Sequence, residues 1–271
     1  MKDSPYRLRL HCNSAIPERY RDSMRNLLAF DLGASNGRAI LGRFDGTRVT
    51  LHELHRFENN YIEMNGVFYW DLPYLYQQLK LGFLAFRQAN MGELDCFGID
   101  AWGVDYGLLD KNGNLLSNPR AYRYAREEDM AEVWKQLDFA DIFARTGIAA
   151  MNFNTIFQLM RRRCEDDAAL QNAETLLLMP DLLGYFLTGE KASEYTNVTT
   201  TMLYSPEKRD WDREIICKLG LPERIFTRID YAGDLRGKLR SELAKELGIN
   251  QAVFAAVGTH DTASAVAAIP G

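Results

Sequence analysis

Residues 29–38 read AFDLGASNGR, and this stretch decides the fold. A short apolar run, Leu27–Phe30, leads into it and Arg38–Phe44 follows it, and such runs are typical of buried strands. Only small and turn-forming residues join the two runs, which leaves no room for a crossover helix. A hairpin turn signal, Asp45-Gly46, then leads to an alternating third run at Arg48–Phe57. The sequence therefore predicts a three-stranded antiparallel meander rather than a βαβ unit.

Helical and strand patterns alternate after the meander. Asp71 is a predicted N-cap, and the apolar residues that follow it have helical spacing: Leu72, Leu75, Leu79, Phe83 and Phe86. A strand is predicted at Cys96–Asp100 and a hairpin at Tyr106–Leu116. Residues 127–190 are predicted to be helical.

The last third of the chain has weaker patterns. The threonine-rich segment Ser193–Tyr204 is predicted to be a strand or a loop, and short helices are predicted near 213–219 and 239–247. A final strand at Ala252–Val257 leads into a helix of small residues. These elements together predict an α/β fold with a mixed sheet that opens with the meander.

The composition excludes several classes of protein. The chain has 271 residues, of which 46% are hydrophobic and 25% charged, and its formal net charge is −5. The longest apolar run is six residues, Ala252–Val257, whereas a membrane span needs about 20. The net charge argues against binding through a nucleic-acid backbone. We therefore expect a soluble, cytoplasmic protein with no nucleic-acid or membrane partner.

The cysteines and the first residues fit the same expectation. Cys12, Cys96, Cys164 and Cys217 form no C-x-x-C motif, and we expect reduced, mostly buried thiols. Residues 1–23 lack the apolar centre of a signal peptide, so we expect a disordered appendage. Met24 stands just before the first strand and is an alternative start of translation.

Two further patterns suggest nucleotide or nucleic-acid binding, but each has a simpler explanation. Arg161-Arg162-Arg163 is followed by Glu165-Asp166-Asp167, which favours a solvated helix face over a nucleic-acid patch. Gly233–Leu239 is one residue short of a phosphate-binding P-loop and lacks its Ser or Thr, so we expect a turn and the start of a helix.

The loop at 31–38 has two interpretations of equal weight. Backbone amides of such a turn can converge on phosphate oxygens, with Ser35 and Asn36 adding side-chain donors and Arg38 a charged fork. In that case Asp31 could hold Mg²⁺ through water, since Mg²⁺ keeps several waters in proteins. Alternatively, the loop is a tight hairpin turn that Asp31 caps.

Two other strand ends carry candidate chemistry. The aromatic residues of 101–106, AWGVDY, could form a platform for a sugar, although aromatic residues are more often part of a core. Residues 258–262 read GTHDT and place Asp261 where a strand meets a helix. This carboxylate can be a helix N-cap, a general base that takes a proton from a hydroxyl, or both.

Taken together, five motifs resemble those of the FGGY carbohydrate kinases. They occur in order over about residues 26–270: AFDLGASNGR (29–38), GIDAWGVD (98–105), LMPD (178–181), EYTN (194–197) with TTT (199–201), and HDTASAV (260–266). Within that family, the sequence is most similar to the enzymes that phosphorylate L-rhamnulose in rhamnose breakdown.

The resemblance implies an actin-like ATPase or ribonuclease H-like domain. It also implies ATP-dependent, Mg²⁺-assisted phosphorylation of the 1-hydroxyl of L-rhamnulose, with Asp261 as the general base. The implied sugar contacts are His260, Thr262, Asp261 itself and the Gly103 backbone. The implied phosphate contacts are Ala34, Ser35, Asn36, Gly37 and Arg38, with Asp31 acting through the magnesium shell.

The resemblance also implies a second domain. Members of the family bind ATP and sugar between two domains, whereas this sequence ends before the second should begin. We therefore expect residues 24–271 to be the sugar- and phosphate-binding N-terminal domain, with the C-terminal domain missing and negligible turnover by the chain alone. The alternatives are a kinase for another ketose, such as fuculose or xylulose, and a non-catalytic sugar-binding module.

Overall fold

The structure is a computed structural model that describes residues 24–269. The expected appendage at 1–23, with Cys12 in it, lies outside the described residues, as do Pro270 and Gly271. The strands are β1 Arg25–Leu32, β2 Asn36–Phe44, β3 Val49–Glu58, β4 Tyr61–Met64, β5 Val67–Trp70, β6 Cys96–Ala101, β7 Tyr106–Leu109, β8 Thr175–Leu178, β9 Ser193–Glu194, β10 Tyr204–Ser205, β11 Asp210–Trp211, β12 Ile229–Asp230, β13 Leu235–Lys238 and β14 Val253–Ala255. The helices are α1 Leu72–Ala89, α2 Glu127–Trp134, α3 Phe139–Thr146, α4 Thr155–Cys164, α5 Ala168–Gln171, α6 Met179–Thr188, α7 Tyr195–Thr199, α8 Arg213–Lys218, α9 Ser241–Leu247 and α10 Asp261–Ala267.

The main sheet has six strands in the order β13-β14-β6-β1-β2-β3. Strands β1, β2 and β3 pair antiparallel, which confirms the predicted meander. Strands β6 and β14 run parallel to β1, so the sheet is mixed, as expected. Alternate residues of β1, namely Leu28, Phe30 and Leu32, are buried, since a strand presents every second side chain to the same face.

Helix α1 covers one face of this sheet. Asp71 caps it as predicted, because its side chain accepts a hydrogen bond from the Tyr74 N–H (3.0 Å). All five residues of the predicted apolar face are buried. Gly82 allows the helix to approach closely, since a Cβ atom there would lie 2.5 Å from the Phe30 ring.

A second core packs beside the sheet and is built mainly from helices α2, α4 and α8 around Phe157 and Trp211. It includes a two-stranded ribbon, β7 with β8, that the sequence did not predict. The expected hairpin partner of β7 makes only one bridge, between Leu109 and Leu115. The helical prediction for 127–190 is wrong at β8, because a four-residue buried apolar run has no period that separates strand from helix.

The arginine run at the end of α4 is not the solvated face that was predicted. Arg161 and Arg162 are 5% and 3% exposed, and only Arg163 is exposed to solvent. Arg161 Nε donates to Glu165 Oε1 (2.8 Å), and Arg162 Nη1 donates to Asp167 Oδ2 (3.0 Å). The neighbouring acids therefore compensate two buried cations, which charge spacing alone did not reveal.

Two predictions in the last third are correct only in part. Ser193–Tyr204 contains the helix α7, whose first turn the Glu194 side chain caps by accepting from the Thr196 N–H. Gly233–Leu239 forms a turn and the edge strand β13, and the next helix begins only at Ser241.

The described cysteines are free thiols, but they are less buried than expected. Cys96 is half-buried, whereas Cys164 and Cys217 are exposed. Cys164 is the last residue of α4, and the buried residues of that helix end at Arg162. Among residues 24–269, no helix is both long and apolar enough to cross a bilayer.

Candidate active site

Three strand ends meet at one edge of the main sheet. Asp31 near the end of β1 stands in register with Asp100 of the parallel strand β6. The segment after β14 continues along the same edge, where the Ala101 N–H donates to the Thr259 carbonyl (2.9 Å) and Ala101 bridges to His260. The topology therefore brings together the first, second and last of the sequence motifs.

The turn between β1 and β2 is held by a buried asparagine. Asn59 donates through its side chain to the Gly33 carbonyl (2.8 Å) and through its backbone N–H to the Ser35 carbonyl (3.0 Å). Within the described part of the chain, no acceptor takes the backbone N–H groups of Ala34 and Ser35. The turn thus presents two amides, as an anion site requires.

Asp31 does not cap this turn, as one interpretation of the sequence had it. Its carboxylate instead pairs with the Arg38 guanidinium, its register partner on β2. The side chain of Asp31 keeps 30% of its surface exposed. Gly37 cannot carry a side chain here, because a Cβ atom would lie 2.2 Å from the Phe57 ring.

Asp100 was quoted in a motif but was not predicted as a site residue. Burial, reinforced by the nearby Asp31 and Asp261 carboxylates and opposed by Arg38, raises its pKa from 3.8 to about 8. The carboxyl of Asp100 therefore holds its proton at pH 7. An acid at the end of a strand parallel to β1 was the sequence signal that could have identified it.

Replacing Asp100 by Asn is expected to flatten the pH dependence of stability. Between pH 4 and about 8 the folded protein holds a proton at Asp100 that the unfolded chain has lost, so the unfolding free energy falls as pH rises. Asn does not titrate, so this fall in the unfolding free energy is absent from the variant. In urea unfolding at pH 4, 6 and 8, the unfolding free energy of the variant relative to wild type should rise by at least about 1.4 kcal/mol from pH 4 to pH 8. This is the equivalent of one pKa unit. A difference that stays constant with pH would contradict this.

The loop after β6 is strained and tightly held. Val104 has φ +67°, a conformation that β-branched residues rarely adopt. Its N–H donates to Thr200 Oγ1 (3.0 Å), and its carbonyl accepts from Thr155 Oγ1 (2.7 Å). A Cβ atom on Gly103 would lie 3.0 Å from Thr200, so glycine allows this close approach.

Asp105 anchors the aromatic residues below that loop. Its buried carboxylate accepts from the indole N–H groups of Trp70 (2.6 Å) and Trp102 (3.0 Å), and from Gln158 Nε2 (3.0 Å). Burial raises the pKa of Asp105 to about 6. Trp102 is 5% exposed and belongs to the core, and it also borders a cavity; its role as a sugar platform stays a prediction.

This cavity, of about 510 Å³, lies between the loop after β6 and the start of α10. Its polar lining residues include Asn154, Thr199, Thr200, His260 and Asp261. Its apolar wall is formed by Trp102, Val104, Tyr122, Ile148, Met151 and Phe153. Gly103 also lines it, whereas the predicted sugar contact Thr262 does not.

His260, not Asp261, occupies the N-cap position of α10, so the predicted cap is one residue off. Asp261 Oδ1 accepts from the Thr262 N–H (2.6 Å) and hydroxyl (3.1 Å), and it lies 3.5 Å from His260 Nε2. The Asp261 side chain is 37% exposed, so its carboxylate can reach a molecule in the cavity.

Not all of the motif residues line the cavity. Asp181, from the LMPD motif, is buried and pairs with Arg236 (2.5 Å). Burial raises the pKa of Asp181 to about 6. Its contacts are structural.

The sequence is similar to known carbohydrate kinases. Residues 26–268 match the N-terminal domain of the FGGY family of carbohydrate kinases. The rhamnulokinase of Bacteroides thetaiotaomicron is 41% identical over 249 residues, which cover 91% of this chain and 51% of that protein. The rhamnulokinase of Halalkalibacterium halodurans is 40% identical, with 91% and 52% covered. The chain spans about half the length of the curated relatives it matches.

Solved structures share the fold. The xylulose kinase from Rhodospirillum rubrum superposes with a TM-score of 0.77 at 15% identity, covering 86% of this chain and 48% of that one. A Plasmodium falciparum glycerol kinase, solved with ADP, gives 0.71 at 15% identity, with 87% and 49% covered. These similarities confirm the expected actin-like ATPase fold.

Proposed function

The chain belongs to the FGGY family of carbohydrate kinases, and on that premise we propose that it supplies the sugar site and phosphate loop of an L-rhamnulose kinase. The reaction would move the γ-phosphoryl group of ATP to the 1-hydroxyl of the ketose, in the cytoplasm. One observation carries the proposal: the Asp261 carboxylate lines a partly apolar cavity at the same sheet edge as a turn with two available amides.

In this proposal Asp261 takes the proton of the attacking hydroxyl. Phosphoryl transfer depends mainly on positioning and on stabilising the phosphate charge, so a single well-placed base is enough. His260 and the Gly103 backbone line the same cavity and would hold the sugar. Thr262 would act indirectly, since its two hydrogen bonds orient the Asp261 carboxylate.

The turn at 33–35 would bind the ATP phosphates. The N–H groups of Ala34 and Ser35 are available, and Asn36, Gly37 and Arg38 follow them at the start of β2. Mg²⁺ would offset phosphate charge when bound. Asp31 suits it as a single, partly exposed carboxylate, because Mg²⁺ commonly takes one or two carboxylates besides phosphate and water. Among residues 24–269, no cluster of three acidic, His or Cys side chains forms a complete metal cage.

The apolar wall of the cavity supports a ketose with a methyl end. L-Rhamnulose is a six-carbon ketose whose last carbon is a methyl group, whereas D-fructose has a hydroxymethyl there. Burying a hydroxyl without a partner is unfavourable. Ile148, Met151 and Phe153 offer no such partner through their side chains. The wall therefore favours L-rhamnulose, and also L-fuculose, over D-fructose.

A panel of ketoses tests this preference. At a concentration 100-fold above its dissociation constant, L-rhamnulose should raise the melting temperature of the chain by about 5–10 °C, because it binds only the folded state. D-Fructose is the matched control and should give little shift. An equal shift with D-fructose would contradict the role of the apolar wall, and no shift with any ketose would contradict the sugar site itself.

A further inference from the structure

We propose that Glu194 is a positioning residue, which fixes the strand-to-helix junction that carries Asp261. The hydrogen bonds of Glu194 that hold this junction are called the clamp. The catalytic importance of the clamp rests on the proposed kinase activity, whereas the hydrogen bonds themselves do not. Glu194 is the last residue of β9 and is fully buried. It does not line the cavity.

One carboxylate oxygen of Glu194 joins two distant segments. Oε2 accepts from the N–H (3.0 Å) and hydroxyl (2.5 Å) of Thr196, at the start of α7. The same oxygen accepts from the N–H (2.9 Å) and hydroxyl (2.9 Å) of Thr259. Four hydrogen bonds therefore meet on one buried oxygen and connect the two segments.

Thr196 extends the connection to the next residue. Its hydroxyl donates to Glu194 and accepts from the His260 N–H (3.1 Å). The two residues that immediately precede Asp261 are therefore both tied to Glu194, Thr259 directly and His260 through Thr196. Asp261 is the first residue beyond this clamp.

The same segment holds the opposite side of the cavity. Thr200 Oγ1 accepts from the Val104 N–H (3.0 Å) and donates to the Asn197 carbonyl (2.7 Å). Residues 194–200 thus link the loop after β6 to the junction before α10. This link adds to the direct bond from the Ala101 N–H to the Thr259 carbonyl (2.9 Å) in setting the spacing between the two sides of the cavity.

Helix α10 gains little support from buried side chains of its own. None of its seven residues is buried, and helices this short are marginal without tertiary contacts. The orientation of Asp261 therefore depends on hydrogen bonds around the start of the helix. They include those to Glu194, the bond from the Ala101 N–H to the Thr259 carbonyl (2.9 Å) and the bond from the Ser264 hydroxyl to the Gly258 carbonyl (2.5 Å).

Hydrogen exchange on the 271-residue chain, followed by mass spectrometry, tests the clamp without requiring activity. Thr196→Val keeps the shape and the backbone N–H but removes the hydroxyl, whereas Thr196→Ser keeps the hydroxyl. We expect amides of 259–267 to exchange at least about tenfold faster in Thr196→Val and in Glu194→Ala, with β1 unchanged. Thr196→Ser should behave as wild type. If Glu194→Ala does not fold, the comparison of Thr196→Val with Thr196→Ser still tests the proposal.

Asp212→Ala is the matched control. Asp212 is also buried, at 1% exposure, and also accepts four hydrogen bonds, from Arg145 and from the N–H groups of Glu214 and Ile215. Its loss should speed exchange around α8 and leave 259–267 unchanged. Equal acceleration of 259–267 in this control, or none in Thr196→Val, would overturn the proposal.

A kinetic measurement then separates the clamp from the proposed function. In this chain joined to the second half of the Bacteroides thetaiotaomicron rhamnulokinase, Thr196→Val should lower kcat at least about tenfold with the KM for ATP unchanged, and Thr196→Ser should restore it. An equal loss in Asp212→Ala would reduce Glu194 to a structural residue. An inactive wild-type joined protein would count against the proposed function. The hydrogen-exchange rates of residues 259–267 would still test whether Glu194 and Thr196 hold the junction.

Discussion

Replacing Asp261 by Asn in an active kinase is expected to slow phosphorylation of L-rhamnulose by about 10²–10⁴-fold, the usual contribution of a general base. Asn keeps the size of the side chain, and its oxygen can still accept from the Thr262 N–H. It cannot take the proton of the attacking hydroxyl. The fold and the binding of the sugar should therefore change little.

The measurement uses this chain joined to the second half of the Bacteroides thetaiotaomicron rhamnulokinase, in a coupled assay for ADP formation. Asp138→Asn is the matched control, since Asp138 is a carboxylate at the start of α3 that accepts from the Ala140 N–H and lies away from the cavity. It should retain wild-type turnover. If Asp261→Asn also retained turnover, Asp261 would have only its structural contacts at the start of α10.

The chain on its own is expected to turn over at least about 10³-fold more slowly than the joined protein. Phosphoryl transfer requires the reactants to be positioned and water to be excluded. In this chain the Asp261 carboxylate is 37% exposed at an open sheet edge. Residues 24–269 would supply the proposed sugar pocket and phosphate turn, and they leave the Asp261 carboxylate accessible to water.

Steady-state rates of both proteins at saturating L-rhamnulose, ATP and Mg²⁺ measure the difference. The joined protein carrying Asp261→Asn gives the background rate. Comparable turnover by the 271-residue chain would show that the site needs no second half. A joined protein that binds L-rhamnulose without phosphorylating it would favour the alternative of a sugar-binding module.

The sequence predicted those parts of the fold whose signals are local. The meander followed from a short Gly/Ser/Asn connection between two apolar runs, and α1 followed from Asp71 and its apolar period. Strand β8 was missed because its partner β7 is more than 60 residues away and its four residues have no distinctive period. Arg161 and Arg162 were misjudged because burial of a charge depends on partners that only the fold supplies.

For the candidate site too, local sequence signals were informative, whereas features that depend on residues distant in sequence were missed. The sequence placed candidate residues at the ends of three strands, and the structure brings those ends to one edge because β1, β6 and β14 run parallel. Asp100 was passed over because its raised pKa comes from burial and from carboxylates that are distant in sequence. Glu194 was quoted in a motif without a role, because its role depends on Thr259, 65 residues away.

The pairing of Asp31 with Arg38 implies an exchange of ions at the phosphate turn. Each group satisfies the other while no ligand is bound, so a free anion must compete with Asp31 for the arginine and a free cation must compete with Arg38 for the carboxylate. A metal–phosphate complex brings both charges at once, one for each partner. We therefore expect the turn to discriminate in favour of the complex over either ion alone, since only the complex leaves no charge uncompensated.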